Sequence, residues 1–255
     1  MRNLHLLLTF GILISLFSCT SNKKLTYIQG NYSSGKSYNS IDTALYRLKT
    51  NDQLHIKIQG LGVDNEVESQ FNVQRVQSTN TNNISLFLSS YQVDEKGDII
   101  LPMIGKQNVK GLSIEQARKK IDKEISKYLK NFTITIKLVN FKITVLGEVK
   151  TPGLRYVYEE QISIFQALGM AGDLTEFGNR KEVRIIRNVN GKNTIYNVDI
   201  TRPDIIASEL YYLQPNDVIY IQPLATRRYG LDDNWVQIAL SAATTLILFL
   251  NYFTN

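Results

Sequence analysis

Few side chains in this chain have a type and spacing that offer chemistry. Cys19 is the only cysteine, a thiol able to carry a covalent lipid. Near the other end Gln237, Ser241, Thr244, Thr245 and Asn251 return at helical spacing as a line of uncharged hydrogen-bonding groups, with Leu248 the apolar exception. Such groups touch a hydrated ligand weakly and reversibly and break no bond. Catalytic patterns are not expected. There are two histidines, and His5 lies in the apolar leader while His55 falls on the polar side of an alternating segment. No P-loop, dinucleotide fingerprint or nucleophile elbow is present. Glu159-Glu160 and Asp232-Asp233 are adjacent pairs, which point apart or face water rather than cooperate. The sequence therefore predicts no enzyme, no metal site and no cofactor.

The elements that position Cys19 come first. Arg2 precedes an apolar run from Leu6 to Phe17 that ends at Ser18-Cys19, the layout of a bacterial export signal and too short for a comfortable spanning helix. Residues 1–18 are read as signal peptide, and Leu16-Phe17-Ser18-Cys19 resembles the box at which a lipoprotein is cut and its Cys acylated. A lone free thiol in an oxidising compartment is a liability that lipidation removes. Residues 19–45, rich in Ser, Asn, Gly, Lys and Tyr, read as a lipidated N-terminus and tether, with folded structure starting near Tyr46.

The polar line sits on the last segment. Trp235 to Phe253 reads as an amphipathic transmembrane helix long enough to cross a hydrocarbon core. Gln237, Ser241, Thr244, Thr245 and Asn251 are its candidate pore-lining side, and Leu246, Ile247, Phe249, Leu250 and Phe253 its candidate lipid-facing side. Trp235 and Tyr252 bracket it as interfacial aromatics. A ring of such helices turns the polar line onto a shared aqueous lumen, each helix satisfying its own backbone. The other reading is a buried C-terminal helix, or a plain anchor whose Ser and Thr hydroxyls bond back to their own carbonyls.

Between the two ends the chain reads as water-facing α+β structure. The excess of 29 basic over 23 acidic residues is spread along it, with short basic pieces only at Arg118-Lys119-Lys120 and Arg227-Arg228, so no nucleic-acid partner is expected. A strand is predicted over Leu54–Ile58 and another over Ile99–Pro102 after the turn Asp94–Asp98. Gly60 to Thr81 is left open between a helix and a surface excursion. Ser113 and Gln116 form a capping box for a helix with Ile114, Ala117, Ile121, Ile125 and Leu129 on its buried stripe. A half-buried strand Phe132–Leu138 follows.

From Asn140 on, Ile143–Val149 reads as a strand, Thr151-Pro152-Gly153 as a turn and Ile162–Met170 as a short helix stopped at Gly172. Val183 to Ile186 and Thr194–Val198 form a hairpin through Asn190-Gly191, and Val218–Ile221 closes the unit. Short strands, tight turns and one small helix describe a ubiquitin-like or β-grasp domain. Tyr211 and Tyr212 are candidate saccharide contacts through ring stacking, against the plainer reading of packed tyrosines.

These residues carry a resemblance. Tyr46-Arg47-Leu48 with Asp52-Gln53-Leu54, then Val93-Asp94-Glu95-Lys96-Gly97-Asp98-Ile99-Ile100-Leu101-Pro102, then Gly111-Leu112-Ser113-Ile114-Glu115-Gln116-Ala117, resemble the polysaccharide biosynthesis/export family. Val145-Leu146-Gly147-Glu148-Val149, Pro152-Gly153, Ala171-Gly172-Asp173-Leu174 and Leu213-Gln214-Pro215-Asn216-Asp217-Val218 resemble its soluble-ligand-binding β-grasp domain. The fold class expected is α+β: a small export-family sheet domain over 46–139, a β-grasp-like domain over 140–224, and a linker with the C-terminal amphipathic transmembrane helix over 225–255. The resemblance implies a lipid-anchored outer-membrane translocon component of a diderm bacterium, its soluble domains in the periplasm. It also implies a homo-oligomeric ring, an octamer or similar, with polysaccharide, outer-membrane lipid and an inner-membrane polysaccharide copolymerase as partners. Two other readings stay open, a periplasm-facing lipoprotein that binds saccharide or peptidoglycan, and a structural subunit of another secretion complex.

Overall fold

The computed structural model describes residues 25–30, 35, 37–38, 46–60, 87–189, 191–225 and 233–254, with side chains in the last stretch at 238–249 and 252. The signal peptide, Cys19 and the open segment from Gly60 to Thr81, apart from Gly60 itself, lie outside the described residues.

The first core is built on β1 (Gln53–Gly60), which pairs antiparallel with β2 (Tyr91–Gln92) on one side and β5 (Phe132–Leu138) on the other. Alternation decides which face is covered. Leu54, Ile56 and Ile58 on β1 and Ile134 and Ile136 on β5 point to one side and are buried with Ala117, Ile121 and Ile125 of α1 (Ile114–Ile125). The helix starts as its sequence requires: Ser113 Oγ accepts from the Gln116 amide at 3.2 Å, and Gln116 Oε1 accepts from the Ser113 amide at 3.0 Å. It ends sooner than its apolar stripe suggests. Ser126 caps it, Leu129 packs from the turn beyond, and Asn131 takes a left-handed φ of 57° to enter β5.

A separate hairpin joins β3 (Asp98–Leu101) to β4 (Gly105–Asn108). Pro102 falls just past the strand end, where its missing amide costs nothing. The second strand was not legible in Gly105-Lys106-Gln107-Asn108, which has no apolar residue; cross-strand pairing and the inward turn of Gln107 hold it, with Gln107 Nε2 donating to the Ile104 carbonyl at 3.0 Å.

The second core lies under a five-stranded sheet in the order β7 (Gly153–Tyr156), β6 (Lys142–Gly147), β10 (Val218–Pro223), β8 (Gly178–Val189), β9 (Lys192–Val198). The two middle strands β6 and β10 are parallel and all other pairs antiparallel. With α2 (Ile164–Met170) linking the two hairpins, this is the β-grasp arrangement. The predicted first strand stops at Gly147 rather than Val149, because Gly147 turns the chain at φ +90° against the Ile221 carbonyl. The helix begins two residues later than predicted, behind a second capping box of Ser163 and Gln166. Its buried side is Ile164, Ala167 and Leu168, whereas Met170 is exposed.

The two cores share Leu138, which packs against both. Asn140 fixes the junction: its Oδ1 accepts from the Gln53 amide at 3.1 Å and its Nδ2 donates to the Asn51 carbonyl at 3.1 Å. Lys49 Nζ adds a donation to Gln214 Oε1 at 3.2 Å.

Part of the expected tether is not bare chain. Leu25–Gly30 lies on the second core, with the Ile28 and Gln29 amides donating to the Ile200 and Thr201 carbonyls. The reason is Tyr27, an amphipathic side chain in a polar stretch whose ring packs against Phe165 at 5.7 Å and joins that core.

Candidate functional site

Among the described residues, two places answer to the residues singled out in the sequence. The larger is α3 (Asp233–Thr254), 22 residues of helical backbone that contain Trp235, Gln237, Leu250, Asn251 and Phe253, whose side chains lie outside the described residues. Every described side chain from Ile238 to Phe249 is exposed. Ile238 is 67 %, Leu246 62 % and Phe249 63 % exposed, so this apolar surface packs on neither core. Among the described residues no helix is long and apolar enough to cross a membrane. The fold thus supplies an amphipathic helix, and the transmembrane reading receives no support from it.

The hydroxyls on that helix are partly committed. Ser241 Oγ donates to the Ile238 carbonyl at 3.1 Å, Thr244 Oγ1 reaches the Leu240 and Ser241 carbonyls at 2.8 and 2.9 Å, and Thr245 Oγ1 donates to the Ser241 carbonyl at 2.7 Å. A hydroxyl that has spent its proton on the backbone keeps its lone pairs. The three described hydroxyls therefore present acceptors more than donors. At 3.6 residues per turn Tyr252 falls on the same side as Ser241, Thr245 and Leu248, and its ring is 80 % exposed.

Tyr211 and Tyr212 are brought together, their rings 4.9 Å apart and edge to face at 74°. Tyr211 also meets Phe165 at 6.2 Å, and Phe165 meets Tyr27. The four rings form one run in which edges and faces are turned on each other, and each is half-buried. Tyr212 is placed by its backbone, which bridges to Ser163 and whose carbonyl accepts from Arg187 Nη2 at 3.2 Å.

Two polar constellations were not singled out in the sequence. Asp173 accepts the Tyr27 hydroxyl while the Arg180 guanidinium lies 5.2 Å over the Tyr27 ring. Burial first, and Asp173 second, push the Tyr27 phenol up to about 12. At the head of β1, the buried Asp52 carboxylate accepts from the Tyr46 hydroxyl at 3.0 Å and the Lys49 amide at 2.7 Å. Burial raises its pKa to about 6 in spite of those donors and the Lys49 charge. The signal was available in the first case as a Tyr inside a Ser/Asn/Gly stretch; in the second, Tyr46 and Asp52 six residues apart gave no hint of contact.

Tandem small α+β units, the second of them a β-grasp domain, ahead of an amphipathic helix define a modular two-domain protein. Residues 41–139 match the family model described as polysaccharide biosynthesis/export protein, and residues 142–197 match the SLBB domain model. The two matches, in this order along one chain, support kinship with the polysaccharide biosynthesis/export family. It is 26 % identical over 137 residues to the EPS I polysaccharide export outer membrane protein EpsA of Ralstonia solanacearum, covering 52 % of this chain and 36 % of that protein. A protein of the same description from Ralstonia nicotianae is 28 % identical over 151 residues, covering 56 % of this chain and 38 % of the relative. The chain thus spans little more than a third of the length of these curated relatives.

Proposed function

We propose that this protein is a non-enzymatic component of an outer-membrane polysaccharide-export channel. The observation that carries the reading is the match of the two family modules, in order, along one chain. The printed names of the Ralstonia relatives support both the export role and the outer-membrane location.

Cys19 carries the lipid after removal of residues 1–18, and the soluble units 46–139 and 140–224 stand in the periplasm. Several copies close into a ring in which α3 crosses the membrane. A helix that shares a lumen does not need to be apolar all round, which is why a barrel wall falls short of the profile of a lone span. In this ring Gln237, Ser241, Thr244, Thr245 and Asn251 face water and Leu246, Ile247, Phe249, Leu250 and Phe253 face lipid. A lone chain in water does not keep Ile238, Leu240, Leu246 and Phe249 exposed together, and this supports a partner for that surface. Neutral hydrogen-bonding groups contact a sugar polymer without trapping it. An inner-membrane polysaccharide copolymerase feeds the periplasmic end, and saccharide contacts at Tyr211 and Tyr212 belong to the same reading.

The test is inactivation of the gene in its own host with measurement of cell-surface and periplasmic polysaccharide. Loss of surface polymer, restored by the intact chain, is expected. Unchanged surface polymer in the inactivated strain contradicts the export role.

A further inference from the structure

The segment Leu25–Gly30 begins six residues after Cys19 and is fastened to the β-grasp domain by three kinds of contact. Tyr27 packs its ring on Phe165 and under the Arg180 guanidinium, and its hydroxyl donates to Asp173. The Ile28 and Gln29 amides donate to the carbonyls of Ile200 and Thr201. Ile28 itself is held at φ 45°, a conformation that a β-branched residue rarely adopts, so the fastening imposes the path of the chain rather than following it.

The fastening lies at the end of the domain from which the chain also leaves for α3. On β8, Arg180 is two residues from Gly178, and Gly178 pairs with Pro223 at the end of β10. The Leu224 amide then donates to the Phe177 carbonyl at 2.7 Å. Both routes toward a membrane, one from Cys19 and one to Asp233, therefore meet the folded protein around Asp173, Phe177 and Arg180.

We propose that Leu25–Gly30 is a strap that shortens the lipid leash and holds this corner of the β-grasp domain close to the membrane surface. The proposal rests on the lipidated Cys19 of the preceding reading. Fully extended, the eight residue steps from Cys19 to Tyr27 reach about 28 Å. Without the strap the next half-buried residue among those described is Tyr38, nineteen steps from Cys19, and the same chain would reach about 65 Å. The strap thus turns a loose tether into a spacer of defined reach.

The experiment uses the full chain in phospholipid vesicles containing a nitroxide-labelled lipid, with a fluorophore on a thiol introduced by Glu176→Cys. Glu176 is exposed and adjoins Phe177, and a lipidated Cys19 leaves the introduced thiol the only one to react. Strong quenching is expected in the strapped chain. With Tyr27→Ala, quenching falls at least about twofold and hydrogen exchange at the Ile28 and Gln29 amides accelerates at least about tenfold; Tyr27→Phe, which keeps the ring and loses the Asp173 bond, falls between. Unchanged quenching in Tyr27→Ala, in a chain whose N-terminal peptide carries lipid by mass spectrometry, overturns the strap alone. Exchange that stays slow in Tyr27→Ala overturns Tyr27 as its fastening. An N-terminal peptide without lipid removes the anchor reading and the strap's role with it.

Discussion

Arg187 on β8 and Asp217 at the head of β10 form a buried two-point ion pair. Nε reaches Oδ1 at 3.0 Å and Nη2 reaches Oδ2 at 2.7 Å, with the side chains 8 % and 1 % exposed. The same carboxylate accepts from the Gln214 amide at 2.8 Å, and the same guanidinium donates to the Tyr212 carbonyl. One pair therefore ties the Leu213–Asp217 turn, the tyrosine segment and the middle of the sheet together. Removing one partner leaves a buried charge without its complement. Asp217→Ala is expected to destabilise the β-grasp domain by about 3–5 kcal/mol, read as a lower thermal or urea midpoint, while joint replacement of Arg187 and Asp217 by apolar residues costs less than the single change. Equal midpoints for Asp217→Ala and the intact chain would show that the pair is not structural.

Asp52 gives a pH dependence of unusual sign for a carboxylate. Its folded pKa is about 6 against an ordinary 3.8, raised chiefly by burial. The folded state therefore holds the proton more tightly than the unfolded one, and stability is greatest below the unfolded pKa. It falls as pH rises through the window between 3.8 and about 6, then levels off. The contribution of this one group reaches at most about 3 kcal/mol at 1.36 kcal/mol per unit. Asp52→Asn should flatten the Asp52 part of the unfolding free energy across that window; the same slope in the variant would assign it elsewhere.

Gly147 is irreplaceable on steric grounds. A Cβ there would stand 2.0 Å from the Ile221 carbonyl oxygen, on backbone at φ +90°. The β6–β10 pair cannot shift away, since the two strands are in parallel register from Thr144 with Val218 to Gly147 with Ile221. Gly147→Ala is expected to cost more than about 2 kcal/mol and to lower soluble yield. Gly191, at φ +81° with open space around it, should accept Asn with a far smaller loss. Similar midpoints for both variants would contradict the close approach.

The polar line of α3 can be tested without disturbing either core, because its described side chains are exposed and none is a member of either core. Gln237→Leu with Ser241→Leu is expected to reduce polymer export several-fold while leaving lipidation and particle assembly as they were. Export at the original level would remove the lining role from these two residues.

How much of this was legible depends on what held each element. The capping box at Ser113 and Gln116 and the alternating apolar residues of β1 and β5 are local signals, and the structure follows them. The equivalent box at Ser163 and Gln166 was equally readable, and it fixes a helix start that the apolar pattern alone placed at Ile162. Strand β4 has no local signal; only pairing to β3 makes Gly105–Asn108 extended. Composition marks Tyr27 as an aromatic residue in a polar stretch, but its partner Asp173 lies 146 positions away, a pairing that neither composition nor periodicity can register. Tyr211 and Tyr212 were readable as aromatic neighbours, but not as members of a run whose faces are occupied by Phe165 and each other. On α3 the polar line was visible in the sequence, whereas the spending of its hydroxyl protons on carbonyls three and four residues back required the helix itself.

An export channel of this kind requires that several copies of α3 enclose water. Single-particle imaging of the lipidated full chain, extracted in mild detergent, addresses this directly. Closed rings are expected, with a central channel that continues through a wall of helices at the detergent belt. Monodisperse single chains, or rings whose helices splay outward and leave no continuous channel, would contradict the export channel.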